Sequence, residues 1–176
     1  MVYLILLVYL VIRVYPYVFS PVPLGYDPGL YLYLFRTYSH LAPFAYTSLP
    51  TWIQEVYPPL LPFVVRFTSF VVTPEQILIP LVLLASLALF GSLYYLMNSL
   101  FNKKSALVAL SLLSVSMIQY RFYWYYYVKN IFAASLLLCL VVLLKKKSRL
   151  AWIVAPALIL LHQPTAILMV ILLLVH

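Results

Sequence analysis

From Gln76 to Phe101 the chain is almost uninterruptedly apolar, with no charged side chain between Glu75 and Lys103. A run of that length and composition is long enough to cross about 30 Å of hydrocarbon, so it predicts a membrane-spanning helix. Shorter apolar runs at residues 105–120 and 130–144 flank a polar and aromatic stretch, Tyr120-Arg121-Phe122-Tyr123-Trp124-Tyr125-Tyr126-Tyr127-Val128-Lys129, and predict an antiparallel helical pair. Residues 1–15 are apolar without a basic leader before them or a small-residue cleavage site after them, which predicts a retained first span. Residues 58–73 carry Arg66 near their centre and three prolines among their first five positions, features a full span tolerates poorly. They predict a juxtamembrane helix, as does the segment Leu30 to Leu41. After Arg149 the pattern is apolar again but broken at Leu161-His162-Gln163-Pro164-Thr165, which fits either one kinked span or two short segments meeting at a turn. The expected fold is all-α, a polytopic helical membrane protein with juxtamembrane helices in the first outer loop and one transmembrane module over residues 1–176.

Composition supports this class. Hydrophobic residues make up 66% of the chain and charged ones 8%, where soluble domains carry roughly a quarter charged residues; the mean hydropathy is +1.08. The net charge of +8 comes from short basic clusters between apolar runs, the pattern of topology signals, so no nucleic-acid partner is expected and the bilayer is the first partner. For the predicted pair to be antiparallel, Lys103-Lys104 and Lys145-Lys146-Lys147 with Arg149 must share one side, and the positive-inside rule makes that side cytoplasmic. The aromatic stretch and the three acids Asp27, Glu55 and Glu75 then face outward. Cys139 is the sole cysteine, which excludes an internal disulfide, and no cofactor or metal site is expected.

The candidate chemistry follows from scarcity. Asp27 sits in Gly25-Tyr26-Asp27-Pro28-Gly29, where a Pro/Gly-shaped turn would hold a carboxylate at a set height above the membrane, fit to accept a proton from a hydroxyl. The alternative is a turn aspartate bonded to its own backbone. Arg36, one helical turn before His40, and Arg66 offer cations at the same level; the same spacing also describes the wet face of an interfacial helix. Arg121 and Lys129 bracket the aromatic stretch as an electrostatic catch, and Trp124 and Tyr125 within it could stack on a sugar or belong to an interfacial aromatic belt. His162, before a helix-breaking proline, serves either a phosphate or loose backbone carbonyls. Glu55 reads as a solvated loop acid, and so does Glu75, which after Pro74 also suits a helix N-terminus. Phosphate-binding loops, dinucleotide-binding turns, His-Glu-x-x-His and Ser/His/Asp sets are absent.

The order of these features resembles a known family. A Gly-Tyr-Asp turn after the first span, then Tyr57-Pro58-Pro59-Leu60-Leu61-Pro62, a long span closing on Leu100-Phe101-Asn102-Lys103-Lys104-Ser105-Ala106, the Trp124 to Asn130 stretch before an apolar span, and the Leu161-His162-Gln163-Pro164-Thr165 break together look like the N-terminal module of GT-C glycosyltransferases. The most similar subgroup is the protein O-mannosyltransferase and aminoarabinose transferase type, with its archaeal members. The resemblance implies an inverting transfer of a sugar from a polyprenyl (dolichyl-type) phosphate to an acceptor on the extracytoplasmic face of the cell membrane. It implies Asp27 as general base and His162, assisted by Arg36, Arg66 and Arg121, as the contact to the lipid phosphate. Trp124, Tyr125 and Asn130 would then meet sugar or acceptor. Many members carry a second acid in the next outer loop, where this chain has Lys129 and Asn130. Full-length members continue through further spans, so the chain is expected to be the N-terminal part of a larger protein. The competing expectation is a non-enzymatic multi-pass protein, a transporter fragment or an assembly subunit; transporters usually place ionisable groups inside spans, whereas here the acids lie outside them.

Overall fold

The computed structural model describes residues 1–18, 26–39, 50–56, 59–124 and 126–175, and every element among them is helical. The first half holds α1 (Val2–Val14), which ends in a 3-10 turn at Tyr15–Tyr17, then α2 (Tyr26–Ser39), α3 (Thr51–Val56) and α4 (Leu60–Thr68). The second half holds α5 (Pro74–Leu100), α6 (Lys103–Val115), α7 (Met117–Trp124), α8 (Val128–Lys145), α9 (Ala151–Leu161) and α10 (Gln163–Val175).

Two of these are long and apolar enough to cross a membrane: α5, with 27 residues, and α8, with 18. At 1.5 Å per residue they reach about 40 Å and about 27 Å. The nine residues of α4 reach only about 14 Å, too short to cross hydrocarbon. Local chemistry sets the start of α5. The Thr73 hydroxyl accepts from the Gln76 N–H while the Gln76 side chain accepts from the Thr73 N–H, and Pro74 stands where a missing N–H costs nothing. The Asn102 side chain caps α6 in the same way, accepting from the Ser105 N–H at 2.9 Å.

Helix α5 is the organising element, packed chiefly on α8 and α6 and more lightly on α2 and α1. Small buried residues, Ala85 and Ser86 on α5 with Ala133 and Ser135 on α8, allow backbones to approach closely. Their hydroxyls do not go unsatisfied: Ser86 donates to the Val82 carbonyl at 2.7 Å and Ser135 to the Ile131 carbonyl at 2.8 Å. The expected helical pair is modified, because α6 leans on α5 and α1 while α8 leans on α5 and α9, so the long helix takes the place each would have filled for the other. Part of the aromatic stretch is helix α7, split from α6 at Ser116, whose backbone is extended.

Several tyrosines belong to the core. Tyr9, Tyr31, Tyr38 and Tyr126 are fully buried, and Tyr9 packs on Phe90 with ring centres 5.4 Å apart. The alternative left open for residues 150–176 is decided. Leu173 lines the same cleft as Leu144, Ala151 and Ala155, so α10 folds back beside α9, and the two are short helices meeting at a turn at His162. Neither, at about 16 Å and about 20 Å, is long enough to cross hydrocarbon alone.

The lysine clusters meet at one end of α5. Lys145 donates to the Ser99 carbonyl at 3.3 Å, and the Lys146 ammonium lies 4.7 Å from the centre of the Tyr95 ring. Asp27 and Glu75 belong to the other end.

Candidate functional site

The Gly25 to Gly29 segment is not the free turn that its composition predicts. From Tyr26 the backbone is already helical, and Asp27 stands in the first turn of α2. Pro28 is tolerated there because first-turn N–H groups have no intrahelical partner, and the carboxylate complements the positive end of the helix dipole. Gly25 lies outside the described residues.

One turn after Asp27, on the same face of α2, is Tyr31. Its ring meets that of Tyr126 edge-on, with centres 5.1 Å apart, and its hydroxyl accepts from the backbone N–H of Lys129 at 3.4 Å. Tyr126 fixes the other side of this contact. It has φ of +61°, a left-handed conformation more usual for glycine at the end of a helix. The N–H of Tyr127 reaches back to the Phe122 carbonyl at 2.9 Å, and the rings of Phe122 and Tyr127 pack 5.4 Å apart, so α7 closes with a Schellman turn and its usual apolar contact. A tyrosine holds the strained position because its ring is buried against Tyr31 and its hydroxyl donates to the Leu78 carbonyl of α5 at 2.7 Å. Burial, with Tyr31 and Tyr17 nearby, pushes this phenol well up, so it stays a donor.

These contacts dock the start of α8 on the start of α2, and Lys129 beside Asp27. Burial raises the Asp27 carboxyl above its ordinary range, and the Lys129 charge partly opposes that rise. The Lys129 charge also reaches the imidazole of His162, at the turn between α9 and α10. That ring is held by a 2.7 Å hydrogen bond between its Nδ1 and the Thr165 hydroxyl. An acid, a cation and an imidazole from three separate elements thus gather at one end of the helical bundle.

The remaining candidates disperse. Arg36 is bound to Glu75, its Nε donating to the carboxylate at 2.6 Å; Glu75 stands in the first turn of α5, the helix N-terminus that its place after Pro74 suits. Arg66 donates to the Ser69 hydroxyl at 3.2 Å, its guanidinium lies 4.9 Å from the Phe70 ring centre, and its charge reaches the Tyr38 phenol. Arg36 and Arg66 do share a cleft, which Glu75 and Thr73 also line. Arg121 is exposed on α7, and Asn130 is half-buried in the first turn of α8. Trp124 ends α7, Glu55 lies in α3, and His40 and Tyr125 lie outside the described residues. Among the described residues no three histidine, cysteine or acidic side chains gather around a common point. Sequence reasoning set Lys129 with Arg121 and missed that its charge acts on Asp27; the turn signal at Tyr126 is a backbone conformation that tyrosine does not advertise.

No protein-family model, curated protein or solved structure matches this chain.

Proposed function

We propose that this chain is a multi-pass membrane module of a polyprenyl-phosphate-sugar-dependent glycosyltransferase, with Asp27 as the general base and His162 as the donor's phosphate contact. The observation that carries the reading is the convergence of Asp27, Lys129 and His162 at the end of α5 away from the lysine clusters. A general base works best when its pKa is drawn toward the working pH while the group still ionises there. Burial moves Asp27 in that direction, and Lys129 keeps the ionised form accessible. In this reading Asp27 takes the proton of the acceptor hydroxyl as its oxygen attacks the sugar, and the lipid phosphate leaves with the electrons of the broken glycosidic bond. Lys129 and His162 then supply cationic and hydrogen-bonding partners for the departing charge; with Nδ1 engaged by Thr165, His162 offers Nε2. The open apolar faces of α1, α9 and α10, among them Leu4, Leu7, Ile153, Ile167 and Leu168, support a bilayer setting for the module. The positive-inside rule puts the site on the extracytoplasmic face.

The deciding experiment measures sugar transfer from a polyprenyl-phosphate donor in membranes carrying the protein. Asp27→Asn is expected to cut transfer by roughly a hundredfold or more, the scale of lost general-base catalysis, with donor binding retained. Because ionised Asp27 is partly desolvated, the variant should fold as stably as the parent at neutral pH. Glu75→Gln breaks only an exposed ion pair and should change transfer little. Normal transfer by Asp27→Asn would remove the base assignment, and absence of any polyprenyl-phosphate dependence would favour the non-enzymatic membrane protein.

A further inference from the structure

At the lysine-bearing end of the bundle, α8, the turn after it, α9 and α10 enclose a cleft of about 480 Å³. Its walls are apolar, with Leu140 and Leu144 from α8, Ala155 from α9 and Leu173 from α10, and the exposed residues Lys147 and Arg149 line it as well. The four cations of this segment are divided. Lys145 and Lys146 turn back onto α5, at the Ser99 carbonyl and the Tyr95 ring, whereas Lys147 and Arg149 line the cleft.

Lys147 occupies a conformation that its side chain does not favour. It has φ of +51°; its N–H bonds to the Leu144 carbonyl and the Ser148 N–H to the Leu143 carbonyl, both at 2.9 Å. That pattern is a Schellman turn closing α8, whose left-handed position is normally glycine because any Cβ is strained there. A lysine kept at such a position lines the cleft at a cost to the turn, the pattern of strain retained at a ligand clamp.

We propose that this cleft is a binding site for an anionic phospholipid. The phosphate lies between Lys147 and Arg149, and one acyl chain runs along Leu140, Leu144 and Ala155. Charge complementarity with these two cations and the apolar wall select this occupant, since basic pockets between membrane helices favour anionic headgroups over zwitterionic ones. The site is separate from Asp27 and stands independently of the transferase reading.

The test uses Trp152, a neighbour lining the cleft, as reporter in the otherwise intact chain carrying Trp52→Phe and Trp124→Phe. The purified protein in neutral detergent is titrated with phosphatidylglycerol or phosphatidylcholine bearing brominated acyl chains, which quench tryptophan on contact. Saturable quenching at least about tenfold tighter for phosphatidylglycerol is expected, and Lys147→Gln with Arg149→Gln should bring it to the phosphatidylcholine level. Lys147→Gly separates binding from folding: relief of the left-handed strain should raise the unfolding temperature while phosphatidylglycerol affinity falls severalfold. Ala155→Phe, which fills the wall and keeps both charges, should weaken quenching as well. Equal affinity for the two lipids, or phosphatidylglycerol binding untouched by the charge variants, overturns the proposal in favour of bulk lipid. A dimer by light scattering that shields Trp152 from both lipids overturns it in favour of a second copy of the chain.

Discussion

The guanidinium of Arg13, on α1, donates to the carbonyl of Leu113, in the last turn of α6, at 2.7 Å, with a second, longer contact of 3.4 Å to the carbonyl of Ser116. Arg13 is fully buried, and its charge also faces the Tyr9 ring at 5.2 Å. Helix α6 ends there because Ser116 is extended; the Leu113 carbonyl keeps a long bond from the Ser116 N–H at 3.3 Å and the Ser116 carbonyl accepts the Tyr120 N–H at 2.9 Å, at the negative end of the α6 dipole. A cation reaching across from α1 gives each carbonyl a second, charged donor and complements that negative end. The break between α6 and α7 is therefore stabilised by a residue on another helix.

Arg13→Met keeps much of the side-chain volume and removes the charged donor, while each carbonyl retains its backbone N–H donor. The expected loss is about 1–2 kcal/mol, because a hydrogen bond to a charged group is lost without stranding an acceptor. Cys139, the sole and half-buried thiol, gives the readout, since its labelling by a thiol-reactive fluorophore on heating follows unfolding. An unchanged transition would show that the backbone donors alone suffice for these carbonyls.

Lys129 opposes the rise that burial imposes on Asp27, and the sign of its effect on activity follows. In the proposed role Asp27 must be ionised, so the rate is expected to fall on the acid side as pH drops through the Asp27 pKa, which lies above the ordinary aspartate range. Lys129→Gln removes the opposing charge and should move that acid limb to still higher pH, whereas Lys129→Arg should leave it near the parent position. A limb that does not move in Lys129→Gln would dissociate Lys129 from Asp27.

Tyr126→Phe deletes the hydroxyl that donates to Leu78 and leaves the ring contact with Tyr31 in place. The expected cost is about 1 kcal/mol, measured by the same thermal labelling. Because Tyr126 helps to seat Lys129 against α2, transfer should fall further than stability alone accounts for. A variant equal to the parent in both respects would reduce this bond to a bystander.

Single cysteines introduced in a Cys139→Ser background report sidedness. One at Phe70, exposed at the end of α4, should react with an impermeant reagent added outside intact cells, and one at Lys146 only after permeabilisation. The reverse pattern inverts the orientation and moves the Asp27 cluster to the cytoplasmic face.

What the sequence determined by itself was local. The charge-free run from Gln76 to Phe101 dictates a long helix, because an apolar segment must satisfy its backbone internally. Thr73-Pro74-Glu75-Gln76 and Asn102 specify where α5 and α6 start, because a cap bonds within three residues. The proline-rich, arginine-bearing segment after Tyr57 forms only a short helix for equally local reasons. Tertiary structure decided the rest. Arg13 and Leu113 meet across 100 residues and Tyr31 and Lys129 across 98, separations at which periodicity carries no information. Whether Lys129 would serve Arg121 or Asp27, whether Arg36 would remain open or bind Glu75, and whether α10 would extend α9 or return beside it all depended on which helix faces were buried together. Packing made those choices, because a side chain interacts with whatever groups the neighbouring helices bring within reach, in an exposed ion pair for Arg36 and Glu75 and in a half-buried site for Lys129.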